Sequence, residues 1–311
     1  MSSAPLNSES IKAQAKRLGF VACGLAKAEP VPESFAARFR RWLEKGYCAE
    51  MDYMRRNVET RLRPDLLVPG VRTIVSLAMN FMPARRQPAI SLYAQGRDYH
   101  DVLRSRMRRL MDELKLEGRA FVDTAPVLER YWAWRSGVGV FTQNGLISVP
   151  GYGPTVFLGE LFLTQEADRY DEAKNHSALP SSPKEEGTRL GTPPLGGDRG
   201  GLCPALTPEG LDARLCISYQ TIEHRGHLPD GLRLGQTFYG CDRCLRAVPQ
   251  FREAQPTSDP DFQPSEALLR MTPDDWPNLT EEQYRALFKG SAVKRAKYEG
   301  LMRNIERWKK P

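Results

Sequence analysis

The sequence predicts an α+β fold, a sheet covered by helices and followed by a smaller region organised around cysteines. Two patterns carry this reading. Apolar runs of strand length, Thr73–Met79 and Thr155–Leu163, alternate through residues 1–165 with segments whose apolar residues recur at helical spacing. Composition then changes at residue 167, and four of the six cysteines fall between positions 203 and 244.

The first helix is expected over 8–18. Ser8 is its candidate N-cap, Ile11, Ala15 and Leu18 share one face, and Gly19 stops it. Phe20–Leu25 reads as a short buried strand. A second helix puts Phe35, Phe39 and Leu43 on one side and ends at Gly46. Thr73–Met79 (TIVSLAM) is the clearest core strand of the first half. Residues 100–116 make a strong helix with Leu103, Met107, Leu110 and Leu114 as its buried stripe. Arg104, Arg106, Arg108 and Arg109 spread over its remaining surface and read as a solvated face.

Arg119–Val122 is a strand that enters Asp123-Thr124-Ala125-Pro126, and a helix over 127–136 follows. On local grounds alone Asp123 is that helix's N-cap. Gly137, Gly139 and Gly145 bracket a flexible crossing, and TVFLGELFL closes a first domain of residues 1–166. Residues 167–202 are rich in Pro, Gly, Ser, Asp and Glu and are expected to form a mobile loop, since they offer almost no large apolar side chain. Residues 203–255 hold the cysteine region. In the C-terminal segment, 256–311, a helix near 292–309 carries Tyr298, Leu301, Ile305 and Trp308 on one stripe and packs back on the domain through it.

Hydrophobic residues at 41% and charged residues at 27% are ordinary for a soluble protein. A net charge of +7 favours an acidic partner, nucleic acid first. The start has no apolar run of a secretion signal and no stretch is long enough to span a bilayer. The expected location is therefore the cytoplasm, with no membrane partner.

Cys23 and Cys48 lie far from the other four and read as packing residues. Cys203, Cys216, Cys241 and Cys244 invite a ligand reading. Two-cluster bacterial ferredoxins use runs of the form C-x2-C-x2-C-x3-C-P, in which the last Cys serves the other cluster. Here Cys241 and Cys244 keep the spacing, Val248-Pro249 replaces Cys-Pro, and Cys203-Pro204 preserves the ending of a first run whose upstream thiols are missing. Under the exchange rule one cluster keeps all four ligands and its neighbour loses all four. The reading is one [4Fe–4S] cluster. A zinc site is the alternative, but such sites usually pair two C-x2-4-C knuckles and this chain has one.

The stretches GYCAEMDYMRRNVETRLRPDLLVPGVRTIVSLAMNF (46–81), YAQGRDYHDVL (93–103), VDTAPVLER (122–130), FLGEL (157–161) and LDARLCISYQTIEHRG (211–226) resemble the epoxyqueuosine reductase family across nearly the whole chain. The resemblance implies a corrinoid-binding domain of reductive-dehalogenase or nitroreductase type followed by a ferredoxin-like iron–sulfur domain. It implies reduction of epoxyqueuosine to queuosine at the wobble position of tRNA, with cob(II)alamin, a [4Fe–4S] cluster and an external electron donor, in a monomer. By the family's motifs Asp123 is the proton donor. Corrinoid contacts fall at Arg61, Asp123, Ser218, Glu223, Cys241 and Asp242, and a tRNA contact at Thr221. Burial beside a corrin is expected to raise the Asp123 pKa. His100 and His224 are read as satisfied polar groups.

Two departures from the family pattern stand out. One cluster replaces two, and Phe141-Thr142-Gln143-Asn144 stands where the family reads close to IGKN. They keep two alternatives open: a corrinoid-dependent reductase of another substrate, and a non-enzymatic tRNA- or corrinoid-binding relative.

Overall fold

The computed structural model describes residues 5–173 and 203–309. The first half runs α1 (Ser8–Arg17), β1 (Ala22–Lys27), α2 (Glu33–Glu44), α3 (Val58–Leu62), α4 (Pro64–Leu67) and β2 (Thr73–Asn80). It continues through α5 (Tyr99–Leu114), β3 (Gly118–Phe121), α6 (Glu129–Arg135), a short hairpin β4 (Val140–Phe141) and β5 (Ile147–Ser148), and β6 (Val156–Leu163). The second half holds the hairpin β7 (Leu206–Thr207) and β8 (Gly210–Leu211), then α7 (Ile217–Ile222) and α8 (Arg243–Arg246). It closes with α9 (Glu266–Arg270), α10 (Glu281–Leu287) and α11 (Lys297–Lys309).

Four strands form one antiparallel sheet in the order β1-β2-β6-β3. Its two faces follow from strand alternation. Val75, Leu77 and Met79 of β2 meet Ile11 and Ala15 of α1 and Leu103, Met107 and Leu110 of α5. Ile74, with Phe162 of β6, meets Tyr131 and Trp132 of α6. Every residue of β2 is buried, which explains why TIVSLAM reads as a continuous apolar run. The closest approach is at Gly24 of β1, where a Cβ would lie 2.0 Å from the Ser136 carbonyl, so only glycine lets the end of α6 dock.

A second core lies in the C-terminal half. Phe238, Trp276, Leu301 and Ile305 are its buried centre, with Tyr298 and Trp308 packed against it. The stripe read from the sequence is thus the face that α11 buries.

Four local expectations change. Asn7, not Ser8, caps α1, because its side chain accepts from Ser10 N. The glycine-bracketed crossing is the β4–β5 hairpin. Residues 167–173 belong with the first layer: Ala167 pairs with Leu6, and the Asp171 carboxylate accepts from Leu25 N and Lys12 Nζ. The rest of the expected mobile loop, 174–202, lies outside the described residues. Arg106 leaves the solvated face of α5 and binds Asp259 and Asp261. Among the described residues no helix is long and apolar enough to cross a membrane.

Candidate functional site

A cavity of about 1760 Å³ opens between the sheet domain and the cysteine region. Ligand pockets commonly hold about 300–1,000 Å³, so this one has room for a large cofactor and part of a substrate.

Asp123 lines it. The chain leaves β3 and turns there with φ 55°, a left-handed conformation uncommon for a residue with a side chain. That geometry removes it from the capping position, which Leu128 occupies. Tyr99 Oη donates to Asp123 Oδ2 at 2.8 Å, and His100 Nε2 lies 3.2 Å from the same oxygen. The other ring nitrogen of His100 meets Asp98 Oδ1 at 2.7 Å. An imidazole with a carboxylate at each nitrogen is best satisfied as the imidazolium. Burial alone would lower the His100 pKa, but hydrogen bonds to Asp123 and Asp98 prevail and push it up to about 9.

For Asp123 the expected rise is reversed. Burial does push its carboxyl up, yet the hydrogen bonds from His100 and Tyr99 outweigh burial and hold it below the ordinary carboxylate value. At neutral pH the proton therefore rests on His100.

Glu129, the first residue of α6, accepts the backbone N–H of Asp123. Burial and the charge of Asp123 push Glu129 up to about 8. Arg61 is buried, and its guanidinium donates to Tyr53 O at 3.2 Å while its Nε has no partner. Across the cavity Glu223 binds Arg295 at 2.7 Å. Ser218 also lines the wall.

All four cysteines of the predicted quartet line this cavity, whereas Cys23 and Cys48 do not. Burial raises the Cys244 thiol to about 12, and Cys203, Cys216 and Cys241 each add to the rise. Burial likewise takes Cys241 to about 11. Asn144 Nδ2 donates to Cys244 O at 2.8 Å, so the β4–β5 hairpin braces the cysteine loop. Among the described residues no three His, Cys, Asp or Glu side chains are grouped closely enough to hold a single metal ion.

The comparisons with known proteins give the family. The family model described as epoxyqueuosine reductase QueG, DUF1730, matches residues 61–124. The epoxyqueuosine reductase of Cellulophaga algicola is 34% identical over 96% of this chain and 97% of its own length. The chain belongs to the epoxyqueuosine reductase family. Its members are oxidoreductases, and the Pseudomonas aeruginosa enzyme is 36% identical over 96% of this chain and 83% of its own. A crystal structure of epoxyqueuosine reductase with an epoxyqueuosine-modified tRNA-Tyr stem loop superposes at a TM-score of 0.79 and 25% identity, covering 96% of this chain and 80% of that one. A reductive dehalogenase matches at a TM-score of only 0.35, so that part of the expectation gains nothing from the comparison.

Within this epoxyqueuosine reductase fold the side chains of two residues expected to make contacts bond inside the protein. Asp242 is buried outside the cavity lining, where its carboxylate accepts from Ser91 Oγ and Leu92 N. Thr221 is fully buried, its Oγ donating to Ile217 O and accepting from Gly240 N. Both side chains hold the cysteine region together. His224 is the satisfied group expected, between Glu50 and the His227 carbonyl.

His100 is not merely satisfied, since it shares a carboxylate oxygen with Tyr99. Sequence reasoning also passed over Glu129 and Glu160. The signal for Glu160 was present: a lone acid inside TVFLGELFL, where every neighbour is apolar.

Proposed function

We propose that this chain reduces epoxyqueuosine to queuosine at the tRNA wobble position, with a corrinoid and one [4Fe–4S] cluster in the cavity and Asp123 as proton donor. One observation carries the reading: a single cavity gathers Cys203, Cys216, Cys241, Cys244, Arg61 and Asp123.

The donor set fits both groups. Burial and the neighbouring thiols raise Cys216, Cys241 and Cys244, which makes them poor free thiolates, a cost that cluster iron would relieve. The place of the missing second-cluster ligand is filled by Val248, which is buried. Arg61, Ser218 and Glu223 face the space that a corrin would take. When bound, the corrinoid would supply the strong reductant and the cluster would relay electrons to it from an external donor.

The protein's own task is to place protons. As a carbon–oxygen bond of the epoxide opens, charge builds on the oxygen. Asp123 then passes to that oxygen a proton it takes from His100 Nε2, with Tyr99 fixing the carboxylate. The tRNA contact is supported by the stem-loop complex of the relative and by the positive net charge.

Nucleoside analysis of tRNA tests the reading. In a host that lacks any other such reductase, the gene should convert epoxyqueuosine to queuosine; persistence of epoxyqueuosine would refute it. Gln143 on the cavity wall, where family members carry lysine, favours a second reading, corrinoid-dependent reduction of another substrate. Iron and cobalt in the purified protein together with unchanged epoxyqueuosine would select that one.

A further inference from the structure

We propose that Glu129 and Glu160 form a buried proton store beneath Asp123, the source of the second proton that the reaction consumes. This deepens the reading above and rests on it. Removing an epoxide oxygen as water breaks both carbon–oxygen bonds and forms a carbon–carbon double bond. The balance requires two electrons, from the external low-potential donor, and two protons. The His100–Asp123 pair supplies one proton. The other needs a second source on the same cavity.

Glu160 lies in the middle of β6, fully buried, and neither carboxyl oxygen has a partner. Its partner across the sheet is Ser76 of β2, fully buried too, with a hydroxyl that also lacks a partner. Alternation puts both on the face covered by α6. Glu129 begins that helix, lines the cavity and accepts the Asp123 N–H. The charges of Glu129 and Glu160 act on one another. A buried charge with no partner is costly, so Glu160 stands as a neutral acid, and Glu129 beside the Asp123 carboxylate keeps its proton as well.

The groups that face Glu129 are Asp123 from the β3–α6 turn, Tyr99 and His100 from α5, Arg61 from α3, Arg130 from α6 itself and Glu160 from β6. Burial and the Asp123 charge raise Glu129 to about 8, while burial and Glu129 raise Glu160 well above its ordinary value. Glu129 thus keeps its proton at neutral pH yet opens on the reacting space. After it releases that proton, the cations Arg61 and Arg130 offset the charge left behind, and the free O–H of Glu160 is available to it. An arrangement built only to hold Asp123 would need the Glu129 oxygen and no acid behind it.

Infrared spectroscopy of the purified holoenzyme without substrate reads the store directly. At neutral pH the wild type should show the carbonyl bands of two buried protonated carboxyls. Glu129→Gln should remove the band that titrates near pH 8, and Glu160→Gln the other. Glutamine keeps the oxygen that accepts the Asp123 N–H, so the turn stays in place. Glu129→Gln should then lower kcat about tenfold or more, leave KM within about twofold, and remove the fall in rate near pH 8, leaving the later fall set by His100 near 9. Absence of both bands from the wild type overturns the store without any variant. So does a Glu129→Gln enzyme with unchanged kcat and pH profile. Failure of the underlying reading looks different: the wild type shows both bands but leaves epoxyqueuosine in tRNA unreduced.

Discussion

The imidazole of His100 bridges two carboxylates, with Nδ1 2.7 Å from Asp98 and Nε2 3.2 Å from Asp123. The relationship makes Asp123 a base at rest and an acid only on demand. It also sets a pH window for the pair. In the unfolded chain His100 titrates near 6.5, and in the fold near 9. Its contribution to stability is fully present below about 6.5 and is lost as pH rises through 9. Asp123 works in the opposite sense: its depressed pKa gives a contribution that is lost as pH falls through the folded value. Proton NMR of the His100 ring across this range should show the late titration, and Asp123→Asn should move it back toward 6.5.

Asp123→Asn should leave iron and corrinoid content unchanged while lowering turnover by about a hundredfold or more. Asparagine still accepts from Tyr99 but relays no proton. Unchanged turnover would reduce Asp123 to a structural part of its turn.

Cys241→Ala should abolish the cluster's visible absorption and most of the bound iron. Cys23→Ala should keep both, because Cys23 sits against the sheet core, its thiol pushed up to about 12 by burial. Anaerobic purification followed by metal analysis separates these outcomes, and zinc in place of iron would refute the cluster.

Asp242→Ala should destabilise the fold by about 1–3 kcal/mol, because it strands the buried Ser91 hydroxyl and Leu92 N–H. Urea unfolding checks the value. A loss of corrinoid affinity with no loss of stability would restore Asp242 as a cofactor contact.

Arg108→Glu and Arg106→Glu should part company. Arg108 lines a shallow pocket with Arg104 and Arg109, so its reversal should weaken tRNA binding and flatten the salt dependence. Arg106 clamps Asp259 and Asp261, so its reversal should cost stability first. Equal tRNA affinity in Arg108→Glu and wild type would place RNA on other surfaces.

The layered sheet was legible because burial writes itself as period. TIVSLAM and the α5 and α11 stripes all kept their places. Boundaries moved by a few residues where caps and turns compete, as at Asn7. That Cys203, Cys216, Cys241 and Cys244 come to one cavity follows the spacing that set them apart from Cys23 and Cys48. What stayed hidden was whatever depends on a long-range partner. Asp242 and Thr221 look like free polar groups in one dimension and prove to be spent on Ser91, Leu92, Ile217 and Gly240. The direction of the Asp123 shift was unreadable for the same reason. Burial is inferable from a motif, but which donors reach it is decided by the turn of α5 over β3.

Arg303 spans three main-chain carbonyls, those of Gln220, His224 and Gly226, and Asn304 holds a fourth at Thr221. The last helix of the chain is thereby the splint for the segment that begins at Cys216. Removal of α11 should spare the sandwich of α1, α5 and the sheet while loosening the main chain that follows Cys216.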